Sequence, residues 1–219
     1  MPIRAIIFDL DFTLLDSSEA VIQCARFGFE SAGLEPPADE LIVRQIGMSF
    51  QEFAARHAGE KAAQVIAGFR EESHRLEWLE STSLLPNAVV TLEQLRKSGF
   101  LLGLATQKSK PALEAIVQHH NLGGYFQALV SGDCTSARKP KPEPLLECAR
   151  RLGIAPSSAV YVGDHPYDIL AAQAAAMKVA AIATGPTSRE ELAALQPDWV
   201  LESLEEVPGL AESLNCCGL

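Results

Sequence analysis

FDLDFTL, residues 8–14, closes a short apolar run that begins at Ile3. IRAIIF (3–8) is continuously apolar, as expected of a strand covered on both faces. Two aspartates, Asp9 and Asp11, stand where that strand should end. On a strand, positions i and i+2 share a face, roughly 6.6 Å apart along the chain. Two carboxylates so placed repel, and one takes up a proton unless something positive intervenes. A third acid occupies equivalent context. AVYVGD (159–164) puts Asp164 just past another apolar strand, and Asp168 follows near the start of a helix. If the two strands are neighbours, Asp9, Asp11 and Asp164 converge. A few carboxylates, waters and a phosphate oxygen around one cation is the Mg²⁺ style of coordination.

The rest of the chain supplies the scaffold for such a site. Further apolar runs are FLLGLAT (100–106), ALVS (128–131), VAAIAT (179–184) and DWVL (198–201). Helical patterns separate them. Pro86 is expected to open one helix, on which Ala88, Leu92 and Leu95 repeat at helical spacing. Ser109 can cap the next, with Pro111 in its first turn. Gly33–Leu34, Gly99–Phe100 and Gly153–Ile154 fit left-handed glycine helix ends with an apolar contact just beyond. Strand–helix–strand alternation implies right-handed crossovers and a doubly wound parallel α/β sheet.

One region breaks the alternation. Residues 16–84 show helical spacing and no convincing strand: Val21, Ala25, Phe29 and Ala32, then Ile42 and Ile46, then Val65, Ile66 and Phe69. Ser17–Ser18 can cap the first of these helices. This predicts a helical insertion over 16–84, with the α/β domain formed by 1–15 and 85–219. Inserted after the first strand, it would sit over the carboxyl ends of the strands, where open α/β sheets bind ligands.

Thr106 and Lys139 complete the set at the strand ends. Thr106 closes FLLGLAT, and Lys139 stands in KPKPEP (139–144), whose prolines stiffen the approach to the following helix. A hydroxyl and an ammonium suit phosphate oxygens.

These stretches together resemble the haloacid dehalogenase superfamily. DLDFTL, the LAT of 104–106, KPKP and GDHPYD look like its four motifs, in order, across Ile6 to about Gly185. The resemblance is closest to phosphoglycolate phosphatase-like members, which have a Rossmann-like core and a helical cap after the first motif. It implies a Mg²⁺-dependent phosphatase acting on a small phosphorylated metabolite. Asp9 would be the nucleophile, forming an aspartyl-phosphate, and Asp11 the general acid and base. Asp9, the backbone carbonyl of Asp11 and Asp164 would hold Mg²⁺. Thr106, Gln107 and Lys139 would bind phosphate, and Asp168 would support Lys139 or the metal shell. The family's KPxP frame selects Lys139 over nearby Lys141.

The chain departs from the family pattern in places. Phe12 stands where glycine is commonest, and its ring could wall the leaving-group side or pack under the cap. Gln107 replaces a frequent Asn, and Ala175–Ala176 a usual Ala-Gly. RQIGMSF (44–50) resembles the cap loop that dips toward the site in relatives. Arg44 there could meet an anionic substrate group, with Gly47 and Met48 beside it. His165 could touch substrate or be a loop histidine, and Asp16 reads as a helix-start residue. A phosphomutase similar to β-phosphoglucomutase, or a non-catalytic phospho-acceptor, is the alternative.

Composition narrows the partners. The chain has 219 residues, 47% apolar and 21% charged, with net charge -10 and pI near 5. This argues against nucleic acid and anionic membrane, which want clustered Lys and Arg. The N-terminus does not read as a signal peptide, and Ile169–Thr184 is too short and too interrupted to span a bilayer. Five scattered cysteines, Cys216 and Cys217 included, lack metal-ligand spacing and suggest reduced thiols in a cytoplasm. Oligomeric state is not legible.

Overall fold

The computed structural model describes residues 2–216, with side chains through 214; Cys217 and the side chain of Cys216 lie outside the described residues. In chain order the elements begin with β1 (Ala5–Phe8), β2 (Leu15–Asp16), α1 (Ser18–Ser31), α2 (Asp39–Arg44), α3 (Phe50–Ala58), α4 (Ala62–His74) and β3 (Ser83–Leu84). They continue with α5 (Ala88–Lys97), β4 (Leu101–Ala105), α6 (Lys110–His119), β5 (Ala128–Val130), α7 (Glu143–Leu152), β6 (Ala159–Gly163) and α8 (Pro166–Ala174). The chain closes with β7 (Lys178–Ile182), α9 (Arg189–Ala194), β8 (Trp199–Leu201) and α10 (Glu206–Cys216).

Six strands form one parallel sheet in the order β5-β4-β1-β6-β7-β8. Alternate side chains of each strand go to opposite faces, which makes two cores. Ile6, Phe8, Leu102, Leu104, Val160 and Val162 pack on one side with Leu92, Leu95 and Ile116. Ala5, Ile7, Ala105, Tyr161 and Val179 pack on the other with Leu145, Cys148 and Ile169. Both faces are therefore covered, which is why these strands read as unbroken apolar runs.

Between β1 and α5 the chain is helical, apart from the short antiparallel pair β2–β3 (Leu15↔Leu84, Asp16↔Ser83) that marks where it leaves and re-enters the sheet domain. The helices α1–α4 have a core of their own around Ile22, Phe29, Ile42, Phe53 and Val65. The α1–α4 crossing is close enough that a Cβ at Gly28 would lie 2.7 Å from the Val65 carbonyl oxygen. No helix among the described residues is long and apolar enough to cross a membrane.

Helix ends show where local reading and structure part. Gly33, Gly99 and Gly153 adopt left-handed φ of 66°, 86° and 67°. In each, the following amide returns to the carbonyl five residues back (Leu34 to Phe29, Phe100 to Leu95, Ile154 to Ala149), as expected. The expected N-terminal caps differ. Ser17 precedes α1, but its hydroxyl goes to Asp11, and Asp16 instead accepts from the Ser18 amide at 2.9 Å. Ser109 makes no side-chain cap; Asp133 accepts from the Lys110 amide at 2.8 Å. Pro86 lies in a turn, and α5 starts two residues later.

Candidate active site

The sheet register builds the site. Phe8 pairs with both Leu104 and Val162, so the residues just beyond β1, β4 and β6 come out side by side. The Asp9 amide donates to the Val162 carbonyl at 2.8 Å and the Thr106 amide to the Val130 carbonyl at 3.0 Å, extending the ladders one step. Asp9, Asp164 and Asp168 thus gather with carboxylate oxygens within 4.8 Å of one another, all buried.

Lys139 is the buried cation among them. Its Nζ lies 2.8 Å from Asp9 Oδ1 and 2.7 Å from Asp168 Oδ1, and donates to the Tyr161 hydroxyl at 3.0 Å. That hydroxyl donates in turn to the Ala105 carbonyl at 2.9 Å. Lys141 is exposed. Burial works against the Lys139 ammonium, yet Asp168 and Asp9 outweigh it and raise its pKa. Asp168 is fully engaged: its second oxygen accepts from the His165 amide at 3.0 Å and closes the capping box of α8. His165 accepts from the Tyr167 amide through Nδ1, so this ring caps α8. Gly163 has no room for a side chain, because a Cβ there would run into the Asp168 carboxylate.

The electrostatics are unbalanced. Three buried carboxylates face one ammonium, which leaves two negative charges. The Asp9 carboxyl stands raised to about 7: burial pushes it up most, Lys139 pulls it down, and Asp168 and Asp11 push it up further. Asp164 is pushed well above the ordinary carboxylate range, first by burial and then by Asp168 and Asp9. Asp9 Oδ1 accepts no aligned hydrogen bond despite its ion pair, and Asp164 Oδ2 has no partner, although both atoms are buried. Such groups are costly unless something satisfies them. A hard divalent cation fits both the donor set and the missing charge; Asp9, Asp164 and the Asp11 backbone carbonyl are the residues that would hold it.

Asp11 faces the other way. Its Oδ1 accepts from the Ser17 hydroxyl and lies 3.0 Å from Lys108 Nζ. It contributes to the lining of a cleft of about 350 Å³ between the sheet domain and α1–α4. Gln107 and Met48 line the same cleft, as does Gly47, whose φ of 107° suits its seat against the His165 ring.

Three expected residues are placed differently. Gln107 commits its amide nitrogen to the Lys139 carbonyl at 2.8 Å, tying the KPKP loop to the β4 tip. Arg44 is exposed and paired with Glu191 at 2.8 Å, outside the cleft. Phe12 is buried with φ 52° and does not line the cleft. It packs beside Gly185, and its carbonyl accepts from the Thr184 hydroxyl.

Several neighbours escaped the sequence reading. Thr13 donates to Asp164 Oδ1 at 3.3 Å. Lys108, two residues past Thr106, reaches Asp11. Tyr161 looks like ordinary strand filler, and only its hydroxyl, buried beside Lys139, gives it a role. The DxDxT spacing was the available signal for Thr13.

Known proteins give the same picture. Residues 6–182 match the family model of haloacid dehalogenase-like hydrolases. A phosphoglycolate phosphatase of Yersinia pestis is 32% identical over 206 residues, covering 91% of this chain and 89% of that protein. The pyrophosphatase PpaX of Bacillus velezensis is 29% identical over 205 residues, 94% of each chain. Among solved structures, a hydrolase from Pseudomonas syringae superposes with TM-score 0.82 at 26% identity, covering 95% of this chain and 98% of the other. A haloacid dehalogenase-like family hydrolase from Streptococcus pneumoniae, at 23% identity, shares the fold with TM-score 0.85 and covers 95% and 98%. A parallel sheet in this order, its acidic strand tips, and a family match across most of the length place the chain among the haloacid dehalogenase-like hydrolases.

Proposed function

We propose that the protein is a phosphatase that hydrolyses a small phosphate monoester through a phosphorylated Asp9. The observation that carries this reading is the buried cluster of Asp9, Asp164 and Asp168, in which Lys139 pairs with Asp9 and Asp168 while Asp164 Oδ2 has no partner. Phosphatases and pyrophosphatases among its relatives support a small phosphorylated substrate.

The chain's own groups divide the work. Asp9, at the β1 tip, attacks phosphorus, forming an O–P bond as the bond to the ester oxygen breaks. Asp11 protonates the departing oxygen, then takes a proton from the water that hydrolyses the acyl-phosphate. Lys139 and Thr106 bind phosphoryl oxygens, whose charge dominates the energetics of the transfer. Asp168 and Tyr161 hold the ammonium in place, and Gln107 holds the loop that carries it. Asp9, Asp164 and the Asp11 carbonyl would hold Mg²⁺, which when bound would supply charge neutralisation at the phosphoryl group. The helical segment 16–84 acts as a cap that covers the leaving group and limits water.

The test is phosphate release from a panel of small phosphate esters in the presence of Mg²⁺. Asp9→Asn should lower the rate by at least about a thousandfold, as loss of a nucleophile does. Wild-type-like turnover in that variant would remove Asp9 as the nucleophile.

A further inference from the structure

The leaving group of a phosphate ester held at Asp9 must lie in the cleft that Asp11 enters, because Asp11 has to reach the ester oxygen. The chemistry of that cleft therefore reports on the alcohol. At about 350 Å³ it falls within the size range of clefts that hold drug-sized ligands. Apolar side chains form much of its walls, among them Val21 and Ile46, Met48 from the cap loop, Phe50, Phe69 and Trp78, beside polar ones such as Gln45 and Gln51. Phe50 and Phe69 stack with centroids 3.8 Å apart and an interplanar angle of 23°, and both remain partly exposed within the cleft. Phe53 and Trp78 join them on the lining.

Cations on the lining are few or already engaged. Lys108 pairs with Asp11, and Arg138 is tied to Asp133 and the Gln107 carbonyl. Arg70, which is exposed, and His74 are the other basic side chains on the lining. Arg44, the cap residue placed best by sequence to meet an anion, is turned to Glu191 outside the cleft. A carboxylate or a second phosphate as leaving group would thus lie partly against aliphatic and aromatic carbon, with two of the lining cations already paired, and would lose hydration there.

We propose that the preferred substrate is a phosphate monoester whose alcohol carries an apolar body, packed against Phe50 and Phe69, rather than phosphoglycolate or pyrophosphate. This rests on the hydrolase reading above. An apolar body removes apolar surface of the cleft from water. Lys108, with its Nζ 6.0 Å above the Trp78 ring, stands at the junction between this wall and the phosphoryl site.

The experiment compares naphthylethyl phosphate, ethyl phosphate, phosphoglycolate and pyrophosphate with Mg²⁺ present. The two alkyl esters have similar leaving oxygens, so their difference reports the cleft and not intrinsic reactivity. The kcat/KM for naphthylethyl phosphate should exceed that for ethyl phosphate at least about tenfold, mostly through KM, since even one methylene in an apolar pocket is worth that much. Phe50→Ala and, separately, Phe69→Ala should shrink this ratio. Calorimetry of the two matching phosphonates, which are not hydrolysed, measures the cleft without turnover and should give the same order. Equal constants for the two esters, or a preference for phosphoglycolate or pyrophosphate, would overturn the inference and leave the phosphatase reading standing. Selective phosphonate binding with no hydrolysis of any ester would do the reverse. Neither binding nor hydrolysis would end both.

Discussion

Asp11 carries two proton transfers in the proposed cycle, so the orientation of its carboxylate matters as much as its presence. Ser17 and Lys108 both engage Oδ1, which leaves Oδ2 to face the ester oxygen. Ser17 comes from the loop after β1 and Lys108 from just past the β4 tip, and the proposed cycle assigns neither a contact with phosphorus. Lys108→Met should therefore lower kcat about tenfold or more with a smaller change in KM, since slight misplacement of a reacting group costs that much. Steady-state kinetics on any turned-over ester will decide; a rise in KM alone would make Lys108 a substrate contact. Asp9, Asp11, Asp164 and Lys139 were legible because each stands just past an apolar strand or in a proline frame. Lys108 and Tyr161 were not, because their partners lie far off in sequence: Asp11 is 97 positions from Lys108 by their residue numbers, and the Tyr161 hydroxyl meets Lys139 from 22 positions away. Arg44 could be read either way, as a substrate contact or a surface arginine, for a related reason. A charge on a cap helix looks functional until its pairing with Glu191, 147 positions away, is known.

Strands and glycine helix ends could be read directly, because apolar runs and Gly-apolar pairs depend on neighbours within a few residues. N-terminal caps could not: Ser17 has a better use at Asp11, and Asp133 takes over at Lys110 from another loop. The end of α8 shows what happens when the left-handed position is not glycine. Ala176 has φ 54°, with the Met177 amide returning to the Ala172 carbonyl at 3.0 Å, the geometry that Gly33 and Gly153 adopt at their own helix ends. A left-handed conformation costs a non-glycine residue about 1–2 kcal/mol, while glycine gives back about 0.5–1 kcal/mol in unfolded-chain freedom. Ala176 is exposed, so no packing opposes the change. Ala176→Gly should stabilise the protein by about 0.5–1 kcal/mol, and thermal unfolding should show a midpoint about 1–4 °C higher. A lower midpoint would mean that the helix end relaxes without strain. Phe12 shares the same backbone sign but is buried against Gly185, so glycine there would lose packing as well as strain.

The whole molecule is organised around a charge deficit at the strand tips, and this ties its stability to cation and pH together. Without a cation, the Asp9 carboxyl is held up to about 7 by burial, far above its value in an unfolded chain. A carboxyl raised on folding costs nothing while protonated in both states, and weakens the fold from the pH at which the unfolded chain ionises up to the raised folded value. Cation-free protein should thus lose stability as pH rises from about 4 through about 7, the reverse of ordinary acid denaturation. A divalent cation needs the carboxylates deprotonated, so its binding competes with protons and tightens over the same window. Added Mg²⁺ should then raise the unfolding midpoint more at pH 8 than at pH 6. Binding at a hundredfold excess over the dissociation constant is worth about 2.7 kcal/mol, or roughly 5–10 °C for a chain of this size. Asp164→Asn removes one of the two uncompensated charges, so it should raise the cation-free midpoint at pH 8 and blunt the response to Mg²⁺. This would trade function for stability, as strained sites commonly do. Thermal scans of both proteins at the two pH values, with chelator and with Mg²⁺, measure every term. An equal Mg²⁺ shift at pH 6 and pH 8, or a cation-free Asp164→Asn protein no more stable than its parent at pH 8, would mean that the buried carboxylates do not carry the missing charge.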